Sequence, residues 1–225
     1  MQDQQASVDW RDGRTPVSVQ FDDPYFSVDD GLAETTHVFL GGNDLPARFG
    51  GDFQIAELGF GTGLNLLVTW AAWVQAGCPG HLRFTSFEAY PMAAADRVKS
   101  LCSFPTLSLF TGQLLAATAQ GTGTHHLACN LTLQVITGDA RETLPLWSGR
   151  ADAWFLDGFS PAKNPEMWGD ALLGQVARHT NPGGTASTYT AAGHVRRGLA
   201  AAGFAVCRVP GYGRKRHMTT ARMPG

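Results

Sequence analysis

The segment Ile55-Ala56-Glu57-Leu58-Gly59-Phe60-Gly61-Thr62-Gly63-Leu64-Asn65-Leu66-Leu67 decides the fold of this chain. It predicts the end of a buried strand, a turn with three glycines and the start of an apolar helix. Glycines at alternate positions allow a tight turn and leave no Cβ between the backbone and a ligand. The amides at the helix start are unpaired and carry partial positive charge. Such a turn can hold the polar or anionic part of a nucleotide-like cofactor.

The spacing of these glycines separates two families of cofactor turn. The dinucleotide fingerprint is G-x-G-x-x-G, whereas this chain has Gly59-x-Gly61-x-Gly63. With Glu57 two residues before the first glycine, the pattern E-x-G-x-G-x-G resembles the first motif of the S-adenosylmethionine-dependent methyltransferases. A plain strand-to-helix turn without a ligand stays open as an alternative at this point.

From residue 53 onward, apolar strand patterns alternate with helical patterns. This alternation is typical of an α/β fold with a mainly parallel sheet and helices on both faces. Residues 1–50 instead alternate short apolar groups, 37–40 among them, with turn formers. They predict a strand-rich N-terminal extension with a short helix near 45–49, ahead of a Rossmann-like domain at 51–225. Strands are predicted at 53–58, 82–87, 131–137, 151–156, 185–190 and 204–209, helices at 64–76, 93–101, 107–119, 165–179 and 192–202, and a polar loop at 120–130.

Four acidic residues follow apolar runs at the carboxyl ends of predicted strands: Glu57, Glu88, Asp139 and Asp157. Ligands of parallel sheets bind at this edge. Glu88 comes 25 residues after Gly63, near the spacing of about 20 at which an acid meets ribose hydroxyls. Asp139 can meet an adenine amino group, and Glu57 can steady the turn or bind an ammonium group. A single acid here is an ordinary strand cap, but four in the same position favour a binding site.

A second motif is Asp157-Gly158-Phe159-Ser160-Pro161-Ala162-Lys163-Asn164-Pro165. Its two prolines stiffen the loop, and Phe159 is its one aromatic residue. A carboxylate on a rigid loop beside a flat apolar group suits a substrate that carries a nitrogen nucleophile. The same residues are typical of a helix entry with Asn164 as the N-cap. We predict both, with the cap at Asn164 and the chemistry at Asp157.

Charge is unevenly distributed, although the formal net charge is only −2. Residues 1–170 hold all 19 acidic residues against 9 Lys and Arg, and residues 171–225 hold 8 Lys and Arg and no acid. A basic end can dock a polyanion, although a solvated tail has the same composition. The four cysteines are far apart, which predicts reduced thiols rather than disulfides or a zinc site, and no metal site is predicted.

The N-terminal decapeptide MQDQQASVDW is polar and acidic, unlike a signal peptide. No apolar run reaches the roughly 20 residues that a membrane-spanning helix needs. We therefore expect a cytoplasmic protein that makes no membrane contact.

Longer strings give the chain a more specific resemblance. It is similar to the bacterial tRNA 5-methylaminomethyl-2-thiouridine methyltransferase family, which occurs alone or as the N-terminal half of a bifunctional protein with an FAD-dependent oxidase half. The resemblance extends over residues 9–218. It is carried by ELGFGTGLN at 57–65, DAWFLDGFSPAKNPEMW at 152–168, GRKRHM at 213–218, FDDPYFS at 21–27 and VFLGGNDLPARF at 38–49.

The resemblance implies a class I methyltransferase with a seven-stranded sheet that binds S-adenosylmethionine. It implies methylation of the aminomethyl nitrogen on the wobble uridine of tRNA, which gives 5-methylaminomethyl-2-thiouridine. In this assignment Glu88 is the ribose acid, Asp139 lies on the adenine side, and Asp157 is the catalytic acid beside the target amine. The implied cofactor-binding residues are Glu57, Gly59, Phe60, Gly61, Thr62, Gly63, Asn65, Glu88, Asp139 and Asp157.

On the substrate side, the resemblance implies that tRNA binds through its anticodon loop, with an FAD-dependent oxidase as a fused or separate partner. Phe159 and Pro161 would shape a slot for a flipped base, and the acid-free C-terminal segment would contact phosphates. The predicted substrate-binding residues are Phe159, Pro161, Lys163, Arg214, Lys215 and Arg216. A nicotinamide dehydrogenase, a non-catalytic RNA-binding module and a methyltransferase for a protein or small amine are the alternatives.

Overall fold

A twisted, mainly parallel sheet organises the part of the chain that the computed structural model describes, which is residues 5–27, 30–119 and 121–225. Within these residues the sheet has eight strands. They are β4 (Phe53–Leu58), β5 (Leu82–Glu88), β6 (Gly123–Ala128), β7 (Leu131–Thr137), β8 (Ala151–Leu156), β9 (Thr180–Thr188), β10 (Ala205–Pro210) and β11 (His217–Arg222).

The strand order is β10-β11-β9-β8-β4-β5-β7-β6. The central pairs β4–β5, β4–β8, β5–β7 and β8–β9 are parallel. The pairs β6–β7, β10–β11 and β11–β9 are antiparallel. The predicted α/β class with a mainly parallel sheet is confirmed, and the described sheet has eight strands rather than the implied seven.

Two strands lie where the sequence predicted none. The predicted polar loop at 120–130 contains β6, whose residues are mostly polar because it is an edge strand with one solvated side, although Leu127 is buried. Residues 217–222 were assigned only to a basic tail, yet Met218, Thr219 and Ala221 are buried in β11. In addition, β9 begins at Thr180, before the Pro182-Gly183-Gly184 run that was expected to precede it.

Helices cover both faces of the sheet, and alternate residues of β8 show why. Ala153 and Phe155 pack into one apolar core, and Trp154 and Leu156 pack into the other. The helices are α2 (Leu64–Gln75), α3 (Ala94–Leu101), α4 (Ser108–Thr118), α5 (Ala140–Thr143), α6 (Asp170–Arg178) and α7 (Gly193–Ala201). The helix predicted at 165–179 is instead a short 3₁₀ turn, Pro165–Trp168, followed by α6. The predicted cap is wrong, because the Asn164 side chain accepts no hydrogen bond from the amides of this turn. None of the helices in the described ranges has the length and apolar character to span a bilayer.

The N-terminal extension begins with the predicted small sheet, made of β1 (Val8–Arg11), β2 (Thr15–Ser18) and β3 (Asp23–Pro24). Beyond it the prediction is wrong, because α1 (Gly31–Thr35) and a π-helical turn (Thr36–Leu40) replace the expected strands. The apolar run at 38–40 is buried, and the Phe39 and Phe155 ring centroids are 5.3 Å apart. No helix forms at 45–49. Residues 1–4 and 28–29 of the predicted extension lie outside the described residues, and its boundary at residue 50 stays a prediction.

Candidate functional site

A cleft of about 1380 Å³ opens at the carboxyl ends of the central strands. The glycine turn after β4 forms its floor together with the residues that end β5, β7 and β8. The N-terminal extension supplies residues 20–21 and 23–27 to its wall, and the loop between β10 and β11 supplies residues 212–215. The structure therefore brings together most of the predicted site residues with a segment that sequence reasoning left without a role.

The glycine turn needs glycine for two separate reasons. At Gly59, φ is +90°, and a Cβ there would lie 3.0 Å from the carbonyl oxygen of Asp157. At Gly61, φ is +51°, and a Cβ would lie 3.1 Å from the ring of Tyr25. Side chains at these positions would strain the backbone and fill the cleft.

The side chains between the glycines support the turn. Phe60 is buried against the guanidinium of Arg97, whose Cζ is 5.3 Å from the ring centroid. The Thr62 hydroxyl accepts a hydrogen bond from the amide of Leu64 at 3.3 Å. Their predicted contact with a cofactor stays a prediction.

Asn65, in the first turn of α2, connects two of the predicted acids. Its Nδ2 donates to Glu57 Oε1 at 2.8 Å and to Asp157 Oδ2 at 2.7 Å. Glu57 also accepts a hydrogen bond from Ser86 at 2.7 Å. The amide therefore connects the buried Glu57 to Asp157, which lines the cleft.

Burial raises the pKa of both carboxyl groups. Glu57 is almost fully buried, and its removal from water raises its pKa well above the usual range, against hydrogen bonds from Ser86 and Asn65 that lower it. Burial also raises the pKa of Asp157 to about 7, opposed by the hydrogen bond from Asn65. Perturbed acids in a cleft are typical of catalytic sites. Asp157 borders the open space of the cleft and can exchange a proton near neutral pH.

Glu88 closes β5 and holds the glycine turn from the opposite side. Its Oε2 accepts from the amide of Gly61 and its Oε1 from the amide of Tyr90, both at 2.8 Å. Burial raises the pKa of Glu88, and these backbone hydrogen bonds oppose that rise. A carboxylate has about four acceptor positions, so Glu88 can accept further hydrogen bonds from the cleft.

Asp139 lines the same cleft but has a structural task of its own. It caps α5 by accepting from the amide of Arg141 at 2.8 Å, and it pairs with that guanidinium at 2.6 Å. Arg141 also reaches Glu166 at 2.8 Å. The hydrogen bond from Arg141 lowers the pKa of Asp139, so this carboxylate is ionised, and its predicted role toward adenine stays a prediction.

The loop that follows Asp157 packs against the N-terminal extension. The Phe159 ring stacks on Phe21 with centroids 4.8 Å apart, and Tyr25 meets it edge-on at 5.2 Å. The amide of Ser160 donates to Asp23 at 2.8 Å. Phe21 and Tyr25 were missed as site residues, although the FDDPYFS string that contains them was part of the family resemblance.

The predicted substrate-binding cations are not equivalent. Lys163 pairs with Asp22 at 3.0 Å, which fastens the loop to the extension. Lys215 pairs with Glu34 at 2.8 Å and lies 4.0 Å from the ring centroid of Tyr189. Arg214 lines the cleft mouth, whereas Arg216 is exposed and, like Pro161, lies outside the cleft lining.

The sheet order and the glycine turn at its carboxyl edge are those of a Rossmann-like, nucleoside-binding enzyme. Residues 108–224 match the family model described as S-adenosyl-L-methionine-dependent methyltransferase. The chain belongs to this family, and the predicted cofactor class is thereby confirmed.

Two curated relatives and one solved structure extend the comparison. The chain is 46% identical over 224 residues to the tRNA 5-methylaminomethyl-2-thiouridine biosynthesis bifunctional protein MnmC of Chromobacterium violaceum, covering 95% of this chain and 34% of that protein. It is 48% identical over 225 residues to the protein of the same description from Pseudomonas aeruginosa strain UCBPP-PA14, covering 96% and 34%. The crystal structure of MNMC2 from Aquifex aeolicus superposes with a TM-score of 0.79 at 26% identity, covering 100% of this chain and 73% of that one. The chain thus spans about a third of the length of these curated relatives.

Proposed function

We propose that this chain methylates the aminomethyl nitrogen of the wobble uridine in tRNA with S-adenosylmethionine, giving 5-methylaminomethyl-2-thiouridine. The observation that carries the proposal is Asp157, a carboxylate with a pKa of about 7 beside the glycine turn and an aromatic wall. The substrate itself is inferred from the names of relatives that are 46–48% identical to this chain.

The residues of the cleft fit the cofactor. Gly59 and Gly61 line the cleft, with no room for a Cβ against Asp157 and Tyr25, and the N-terminus of α2 follows them. We assign Glu88 to the ribose hydroxyls, because it ends β5 and has acceptor capacity left beside its two backbone partners. Asp139 is assigned to the adenine side. When bound, the cofactor supplies an electrophilic methyl group on a sulfonium.

In this proposal Asp157 accepts a proton from the amine that is methylated. An alkylamine has a pKa near 10, like lysine, so most of it carries an extra proton at neutral pH. Ionised Asp157 accepts that proton and orients the nitrogen lone pair toward the methyl group that S-adenosylmethionine would supply, with a neutral thioether as its leaving group. Phe159, Phe21 and Tyr25 shape an apolar wall on which a flipped uracil can stack, since base–aromatic stacking is a general mode of RNA recognition.

The direct test is methyl transfer by the purified chain in vitro. Its substrates are S-adenosylmethionine and tRNA isolated from cells that lack the methyltransferase, and the tRNA nucleosides are analysed by mass spectrometry. We expect conversion of the aminomethyl to the methylaminomethyl thiouridine. Methylation of an added protein or small amine, with none on the tRNA, would instead support the broader alternative of another amine substrate.

The rate of methyl transfer should depend on pH through Asp157. The carboxyl, with a pKa of about 7, is protonated below that pH and can no longer accept the amine proton. We expect kcat to fall by about tenfold per pH unit as the pH decreases below the pKa of Asp157. The measurement is kcat at saturating tRNA across a pH series, and a flat profile through neutral pH would contradict this role.

Two exposed arginines are our candidates for phosphate contacts. Replacing Arg214 and Arg216 together with Gln should weaken tRNA binding and reduce the salt slope of log K by about 1.4, for two contacts to single-stranded RNA. Lys215 is left intact because it pairs with Glu34. The matched control replaces Arg178 and Arg208, which are exposed in the same acid-free segment but lie outside the cleft lining. Equal effects of the two double variants would place the tRNA elsewhere.

The described relatives are bifunctional and about three times as long as this chain. We therefore propose that an FAD-dependent oxidase, fused or separate, acts on the same wobble nucleoside. We also propose that both activities take place in the cytoplasm. Co-purification of the tagged full-length protein from its own cells tests this partnership.

A further inference from the structure

Asn65, which was predicted to bind the cofactor, lines the cleft and uses both of its amide N–H groups within the protein. Its two N–H groups donate to Glu57 and Asp157, and its Oδ1 accepts from the hydroxyl of Thr35 at 3.0 Å. Asn65 and Thr35 are both buried, with 6% and 5% of their surfaces exposed. A buried, fully satisfied polar network of this kind fixes one arrangement of its members.

We propose that Asn65 is a positioning residue for methyl transfer. Its amide holds Asp157 as an ionised acceptor, and Thr35 of the N-terminal extension anchors the amide by donating to its Oδ1. This inference rests on the role given to Asp157 in the proposed function. Through Thr35, α1 would affect the ionisation of Asp157 as well as cover the cleft.

The orientation of the amide matters because its two ends have opposite hydrogen-bonding character. With Nδ2 toward the carboxylates, Asn65 donates to both of them. If the amide flipped, its oxygen would face two carboxylate oxygens and leave them without donors, at the desolvation cost of unpaired buried groups. Ionised carboxylate oxygens only accept, so the carboxylates fix the amide with Nδ2 toward them. The Thr35 hydroxyl completes this arrangement by donating to Oδ1 from the other side.

The charges around Asp157 disfavour its ionised form, so its ionisation depends on the hydrogen bond from Asn65. Negative groups outnumber positive ones there, so ionisation of Asp157 depends on donors. The groups that face it are Glu34 of α1, Asp23 of β3, Glu57 of β4, Tyr189 after β9 and Lys215 of the β10–β11 loop. Lys215 is already paired with Glu34, and within the described residues Asn65 donates the hydrogen bond that the Asp157 side chain accepts.

The test compares Asn65→Ala and Thr35→Val with the wild type. Loss of a hydrogen bond to a charged group should raise the pKa of Asp157 by about one pH unit in Asn65→Ala, and by less in Thr35→Val. The pKa is measured by carbon NMR of the aspartate carboxyls, with Asp157→Asn for assignment. The kcat profile should move to higher pH by the same amount, so that Asn65→Ala loses about fivefold in rate at pH 7, about tenfold at more acidic pH, and recovers in alkaline buffer.

Thr69→Val is the matched control, because Thr69 is also buried and donates to the backbone carbonyl of Asn65 rather than to its side chain. It should leave the pKa of Asp157 unchanged. A rate loss in Asn65→Ala that is equal at every pH, with an unshifted carboxyl pKa, would overturn the inference. If the wild-type chain transfers no methyl group to tRNA, the proposed function fails, but the NMR titration still decides whether Asn65 controls Asp157.

Discussion

Asp157→Asn should reduce kcat of methyl transfer by about 10²-fold or more, the range over which a positioned proton acceptor contributes. The substitution keeps the size of the side chain and an oxygen that can accept from Asn65, but it removes the group that takes the amine proton. Affinity for S-adenosylmethionine should stay close to that of the wild type, because the turn and Glu88 remain intact. Isothermal titration measures the affinity for S-adenosylmethionine, and single-turnover methylation measures the rate of methyl transfer.

Asp52→Asn is the control for this experiment. Asp52 pairs with Arg83 on the surface at 3.2 Å, and both side chains are at least half exposed. Such a pair contributes about 0–1 kcal/mol to stability, so this variant should methylate tRNA at the wild-type rate. If Asp157→Asn also kept wild-type kcat, another group would have to accept the amine proton.

The sequence predicted the sheet well where the strand patterns are clear. Residues 53–58 and 151–156 are mostly apolar and residues 131–137 alternate apolar with polar side chains, and all three form strands with the predicted bounds. The sequence prediction failed for β6, since an edge strand needs few apolar residues. It also failed for residues 37–40, where tertiary packing favoured a helical turn over the strand that the apolar run predicted.

Some residues of the candidate site could also be predicted from the sequence, and others could not. Acids at strand ends were predictable, because the carboxyl edge of a parallel sheet is where side chains converge. Thr35, Phe21 and Tyr25 were not, since they reach the cleft from an extension whose path has no periodic signal. Lys163, in the motif at 157–165, and Lys215, in the acid-free segment, were predicted as substrate contacts, and the structure shows them in ion pairs with Asp22 and Glu34. A charge pattern does not reveal which carboxylates the fold places beside it.

Gly59→Ala should weaken S-adenosylmethionine binding by about tenfold or more and lower kcat as well. The new Cβ would lie 3.0 Å from the carbonyl oxygen of Asp157, a backbone atom that cannot rotate away. The turn and the Asp157 loop must then separate by a few tenths of an ångström, and small displacements of reacting groups carry large rate costs. Equilibrium titration with the cofactor and single-turnover kinetics measure the two effects.

Backbone strain alone could also weaken binding, and Gly77→Ala separates the two causes. Gly77 has φ +81°, close to the +90° of Gly59, but a Cβ there meets nothing within 4 Å. Both variants should lose about 1–2 kcal/mol of unfolding free energy, because an L-residue is disfavoured at positive φ. Gly77→Ala should nevertheless bind the cofactor like the wild type, since only Gly59 touches the Asp157 backbone. If the two variants bound S-adenosylmethionine equally well, the close approach of the turn to Asp157 would not be part of the cofactor site.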